Sequence, residues 1–198
     1  MNPIYLASGE AITIQANSTI ASITPGQPYV VQTTAAHGLS TGALVQLSCM
    51  AGAIFTATVI NSTSFSLNET ASGGAIFTPA SGTVQHVGQA TTPVATDGTQ
   101  IPSGTSFAYH FTFNSLTGTG TARGQFEDAD QTNFTDARPG PSFCTTPGPI
   151  TNQSPESYSA TSSQWPGMRV SSTGDTMRAK VFVSGGPGTA INFTAFLQ

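Results

Sequence analysis

Glu127, Asp128 and Asp130 are the densest chemistry in the sequence, three carboxylates inside a four-residue stretch. Hard oxygen ligands at such spacing suit Ca2+, but the glycine turn and the further bidentate carboxylate that complete a calcium loop are absent. The expected arrangement is a solvated turn in which the acids pair with Arg123 or Arg138, and no metal site is assigned. Asp136 and Glu156 extend the set of carboxylates from which a glycosidase would draw its acid and its nucleophile. That reaction depends on a separation in space that spacing in sequence does not supply. His37, His86 and His110 have no serine, cysteine or carboxylate at the spacing of a nucleophile and its base. No catalytic residue is therefore assigned, no cofactor is implied, and the chain reads as a non-enzyme. His37 is expected to hydrogen-bond nearby backbone in its turn. Trp165 and Tyr158 are the raw material of a sugar-stacking platform, and Trp165 beside Pro166 suits a packing anchor of an irregular loop as well. Gly118-Thr119-Gly120 lacks the lysine and the strand-to-helix setting of a phosphate loop and reads as a hairpin turn.

The chain carries 7% charged residues and a net charge of −4, against about 25% charged in ordinary soluble domains. All five cations (Arg123, Arg138, Arg169, Arg178 and Lys180) follow position 122, and Glu10, Glu69 and Asp97 are the only charges before it. Without a basic stripe there is nothing to displace counterions from phosphates, so no nucleic acid is expected as a partner. No polybasic segment attracts a membrane, and no apolar run approaches the roughly 20 residues of a span. A surface this poor in charge relies on hydroxyls, amides and coverage by neighbouring copies, which reads as a piece of an assembly. The start, Met1-Asn2-Pro3-Ile4-Tyr5-Leu6, has no positive region and no long apolar stretch, so synthesis in a cytosol is expected. In that reducing setting Cys49 and Cys144 are expected to be two buried thiols, and no cysteine–histidine spacing suggests zinc.

The elements that would position these residues are strands. No stretch holds an i, i+3, i+4, i+7 apolar pattern, and Gly or Pro interrupts nearly every long window. In residues 105–114, Phe107, Tyr109, Phe111 and Phe113 share one face and Ala108, His110 and Thr112 the other, a half-buried strand. Met177, Ala179, Val181 and Val183 alternate with Arg178, Lys180 and Phe182; Ile191, Phe193, Ala195 and Leu197 alternate with Asn192, Thr194 and Phe196. Gly185-Gly186-Pro187-Gly188 lies between these runs, which predicts an antiparallel hairpin. Residues 89–100 are poor in large apolar side chains and read as a linker. Residues 136–155 hold five prolines and read as a contact loop.

Residues 22–87 have a logic of their own. Ile23 to Gln32 reads as one strand, Ala36-His37-Gly38-Leu39-Ser40-Thr41-Gly42 as a turn with Gly38 and Gly42 at positive φ, and Ala43 to Ser48, Phe55 to Ile60 and Phe65 to Asn68 as strands. Leu39, Val45, Leu47, Phe65 and Leu67 are the expected small core. This His-Gly-Leu-x-x-Gly pattern, its Thr-rich strand and Thr63-Ser64-Phe65-Ser66-Leu67 resemble a small β-barrel module common in bacteriophage virion proteins, from which the chain departs at Ala43, where an acidic residue is usual. The later half, with Thr121 to Asp130, the proline-rich stretch from Arg138 to Pro141, and Trp165-Pro166-Gly167-Met168-Arg169, resembles the β-sandwich of head decoration proteins.

The resulting expectation is an all-β chain. It has an N-terminal arm (1–21), a small β-barrel module (22–88), a linker (89–100) and an antiparallel, jelly-roll-like β-sandwich (101–198). The arm would add a strand either to the sandwich or to a neighbouring subunit. The resemblance implies a capsid decoration or cement protein on the virion surface. Its partners would be the major capsid protein and other copies of itself in a homo-oligomer, with Arg138, Pro139, Pro141 and Trp165 as partner-binding residues. A tail or fibre-associated module that binds host-surface glycans is the alternative.

Overall fold

A computed structural model describes residues 2–50, 53–68, 82–96, 108–118, 120–129, 137–145, 156–161 and 175–198. These residues form an all-β fold with every strand pairing antiparallel. The segment expected as an arm (1–21) holds β1 (Ile4–Thr13), which pairs with β14 (Ala190–Leu197) of the same chain, and the first residues of a barrel strand that starts at Ser18. Strand exchange with a neighbour is thus not needed to satisfy this edge of β14.

Six strands close a barrel: β2 (Ser18–Thr24), β3 (Tyr29–Thr33), β4 (Ala43–Leu47), β5 (Ile54–Asn61), β6 (Ser64–Asn68) and β7 (Thr83–Ala90). They run in the order β7-β2-β3-β6-β5-β4, and β4 returns to β7. Closure removes the free edges that six short strands would otherwise expose. Inside lie Val31, Val45, Leu47, Phe65 and Leu67 with Ile20, Ala57 and Val84, and the five residues expected as the core are all buried. Gly38 and Gly42 have φ of 65° and 92°, as the turn requires. The expected first strand, Ile23 to Gln32, is instead β2 and β3, because Pro25 and Pro28 interrupt the ladder between them.

The sandwich packs the sheet β1-β14-β9-β12 against the strands β11-β10-β13, which continue through β7 into the barrel. Here β9 is Ala108–Leu116, β10 Thr121–Ala129, β11 Arg138–Cys144, β12 Glu156–Thr161 and β13 Asp175–Ser184. The aromatic face of β9 is buried as expected: Tyr109, Phe111 and Phe113 have no exposed surface. Phe111 stacks on Phe193 at 5.5 Å and meets Phe126 edge-on at 5.7 Å.

Two expected hairpins are not hairpins. β13 and β14 lie in opposite sheets, and so do β9 and β10; the glycine-rich turns between them carry the chain across the sandwich. A hairpin would set both apolar faces on one side of one sheet, where strands from elsewhere in the chain would have to cover them. The crossing sets Met177, Ala179, Val181 and Val183 against Ile191, Phe193 and Leu197 directly.

Residues 89–100 are not a plain linker either. Gln89 and Ala90 finish β7, which pairs with both β4 and β13, and Val94–Thr96 form β8 on β13; residues 97–100 lie outside the described residues. Barrel and sandwich therefore share one hydrogen-bonded sheet.

His86 fastens the same junction from the other side. Its Nδ1 accepts from the Gln15 backbone N–H at 3.0 Å and its Nε2 donates to the Gly88 carbonyl at 2.7 Å. Burial lowers its pKa below the ordinary 6.5, against the opposing pull of the Gly88 bond. Because the folded value is depressed, the neutral ring contributes its full stability above about pH 6.5, and stability falls as pH drops through that value until the folded ring protonates. The expected result is a loss of unfolding free energy between about pH 8 and pH 5, part of which disappears in His86→Gln. Denaturant titrations of both proteins across that range check it, and an identical pH profile would refute it.

Candidate binding surfaces

Arg138, Pro139 and Pro141 do not lie in an irregular loop. They belong to β11, an edge strand paired on one side with β10, where prolines are tolerated because the missing N–H faces no neighbour. Pro139 is exposed and Pro141 is buried, so the two do not form one surface. Arg138 is described by its backbone, opposite Asp128. Trp165 lies outside the described residues, as do Asp130 and Asp136.

The other half of the expected sugar platform is occupied by packing. Tyr158 stacks on Phe143 at 5.8 Å and meets Phe113 edge-on at 6.0 Å, while its hydroxyl donates to Glu156 Oε2 at 2.6 Å. Burial and that bond push its pKa up to about 12.

The acidic cluster is not a solvated turn. Glu127 and Asp128 sit in β10 and are buried. Glu127 is held by Arg178 and Lys180 of β13 at 2.9 and 3.0 Å, while Arg123 lies over the Phe182 ring at 4.3 Å. Strand alternation explains the split: Glu127 leaves one face of the sheet and Asp128 the other, beside Tyr109, whose hydroxyl pKa is raised by burial and by the Asp128 charge. Among the described residues no group of three or more His, Cys, Asp or Glu is placed to hold a metal. Cys49 and Cys144 are exposed thiols rather than buried ones, Cys49 in the turn after β4 and Cys144 at the end of β11.

His37 is buried at the barrel turn and pinned to backbone as expected, with Nδ1 accepting from Leu39 N–H at 3.0 Å and Nε2 donating to the Asn61 carbonyl at 2.9 Å. Both ring nitrogens are committed, which leaves His37 a structural part.

The surface with most to offer is the outer face of the sheet β1-β14-β9-β12. Register places Tyr5 opposite Phe196 and Phe196 opposite His110, with Ser159 completing the row. The rings pack on one another: Tyr5 to Phe196 at 5.3 Å, and Phe196 to His110 at 4.7 Å with planes 13° apart. Tyr5 remains 51% exposed. The next row is Thr194, Thr112 and Ser157, and Asn114 bonds Asn192 and Thr194 beyond it. The outward residues of β14, β9 and β12 described here include no Asp, Glu, Lys or Arg. The result is a face with an aromatic band at one end, hydroxyls and amides over the rest, and a shallow hollow of about 290 Å³ among His110, Thr112, Ser157, Ser159 and Phe196.

Sequence alternation already put Phe196 and His110 on outward faces, but Tyr5 joins them only through the β1–β14 register, which no local pattern specifies. Compared with protein-family models, curated proteins and solved structures, the chain matches none of them.

Proposed function

We propose that this chain is a bacteriophage virion structural protein, a decoration or cement protein that docks on the capsid surface through the outer face of β1-β14-β9-β12. The observation that carries the reading is a face without Asp, Glu, Lys or Arg among its described outward residues, with its Tyr5–Phe196–His110 band. Few ions must be desolvated when such a face docks, and exposed aromatics are the side chains that anchor protein interfaces. The continuous sheet through β7 and β13 would let the barrel and sandwich transmit load as one piece. Repetition by symmetry would sum modest contacts into high avidity.

Electron cryo-microscopy of virions that carry the chain tests this. The expected result is density repeated at subunit joints over the shell, with the aromatic band turned toward it. Tyr5→Ser with Phe196→Ser should reduce shell occupancy about tenfold or more, the scale of losing interface anchors, while the melting temperature holds. Density confined to the tail would defeat the proposal and favour glycan binding at the host surface.

A further inference from the structure

The inner corner where barrel and sandwich meet holds a cleft of about 410 Å³, within the size range of small-molecule sites. Glu10 of β1 and Arg178 of β13 line its sandwich side, and Thr41, Thr58, Asn68 and Gln89 its barrel side. Its apolar side chains among the described residues are only Ala90 and Pro93, beside the methyl groups of its threonines, so a purely apolar ligand would strand the polar groups between them.

The walls are set before any ligand arrives. Gln89 Nε2 donates to the Thr41 carbonyl at 2.9 Å, Asn68 Nδ2 donates to Thr58 Oγ1 at 2.8 Å, and Arg178 is gripped by Glu127 through both Nε and Nη2. Gly42 lets the turn approach this closely: a Cβ there would sit 2.6 Å from Gln89 Nε2. Such ordering removes much of the entropy cost of binding.

The charges narrow the ligand class: Glu10 repels an anion, and Arg178, although paired with Glu127, disfavours a cation at the wall it lines, whereas a hydroxyl donates to a carboxylate and accepts from an amide. Partial desolvation raises the Glu10 carboxyl above its usual value, with the side chain still exposed at the rim of the cleft. A second hollow of about 380 Å³ shares Glu10 and Gln89 and continues toward Gln15 and Ser40, which gives room for another ring. We propose that this junction cleft binds a neutral polyhydroxylated ligand, a mono- or disaccharide. The site is separate from the docking face and stands whether the chain sits on a head or a tail.

Amide-resolved NMR titration of the full chain tests it, with glucose, galactose, N-acetylglucosamine and lactose as probes and glycine and inorganic phosphate as controls. The expected result is saturable shifts at Thr41, Gln89 and Thr91 with at least one neutral sugar. Affinity should fall about tenfold in Glu10→Gln and in Asn68→Ala, the loss of one charged and one neutral hydrogen-bonding group, with melting temperatures unchanged in Glu10→Gln. No saturable shift with any sugar overturns the proposal. So do tighter binding of glycine or phosphate, shifts confined to the Tyr5–Phe196–His110 face, or unaltered affinity in both variants.

Discussion

Gly88→Ala is expected to destabilise the protein by about 3–5 kcal/mol and to part β7 from β13, a large share of the total for a domain of this size. Gly88 sits where β7 changes partners, opposite Leu44 of β4 on one side and Phe182 of β13 on the other. A Cβ there would collide with the Val181 carbonyl and press on the Phe182 Cα. These are backbone atoms, so no rotamer change relieves the clash and the strands themselves must separate. Equilibrium denaturation reads the loss. Hydrogen exchange reads its location, as amide protection lost first at Lys180, Val181 and Phe182. Gly186→Ala is the control, since a Cβ there meets nothing within 4 Å. A Gly88→Ala protein within about 0.5 kcal/mol of wild type would mean that β7 does not bridge the two sheets at this register.

That bridge is also where sequence reading stopped. Alternation in β9 declares which side of the strand is apolar, and the structure buries Tyr109, Phe111 and Phe113 accordingly. Alternation does not declare the partner strand. β13 and β14 alternate cleanly and flank a glycine-rich turn, and the same pattern serves a hairpin or a crossing between sheets. What decides is whether a second apolar face is there to be met, a property of the whole chain. β8 was invisible for a different reason. Three residues held to β13 by backbone bonds carry no side-chain pattern, so a stretch poor in apolar residues reads as linker. The barrel was more legible because its turns need particular residues: Gly38 and Gly42 at positive φ, and a histidine able to bond backbone on both ring nitrogens.

Candidate surfaces show the same limit. The prolines near Arg138 marked a loop by composition, but composition cannot separate a loop from an edge strand, where proline is equally at home. The aromatic band needs Tyr5 and Phe196, 191 positions apart, to sit side by side. Only the long-range pairing of β1 with β14 places them there.

Buried charge carries the second large prediction. Glu127 accepts two bonds from Arg178 on Oε2, at 3.1 and 2.9 Å, and one contact from Lys180 on Oε1 at 3.0 Å. The three side chains are only 10%, 5% and 8% exposed. Glu127→Ala would take from the buried Arg178 and Lys180 an anion that both contact, at an expected cost of about 3–5 kcal/mol. The attraction within the intact cluster is not worth that much, since much of the loss comes from removing one partner of charges that are already desolvated. The contrast is therefore a triple variant, Glu127→Leu with Arg178→Met and Lys180→Met, which removes all three charges and keeps similar volume. It is expected to stay within about 2 kcal/mol of wild type and to exceed Glu127→Ala in stability. Denaturant midpoints of the three proteins at low and high salt separate the cases. A solvated pair would cost under about 1 kcal/mol when broken and would weaken with salt. That outcome would place the cluster at the surface, and Arg178 would then lose the anchoring that fixes it at the wall of the junction cleft.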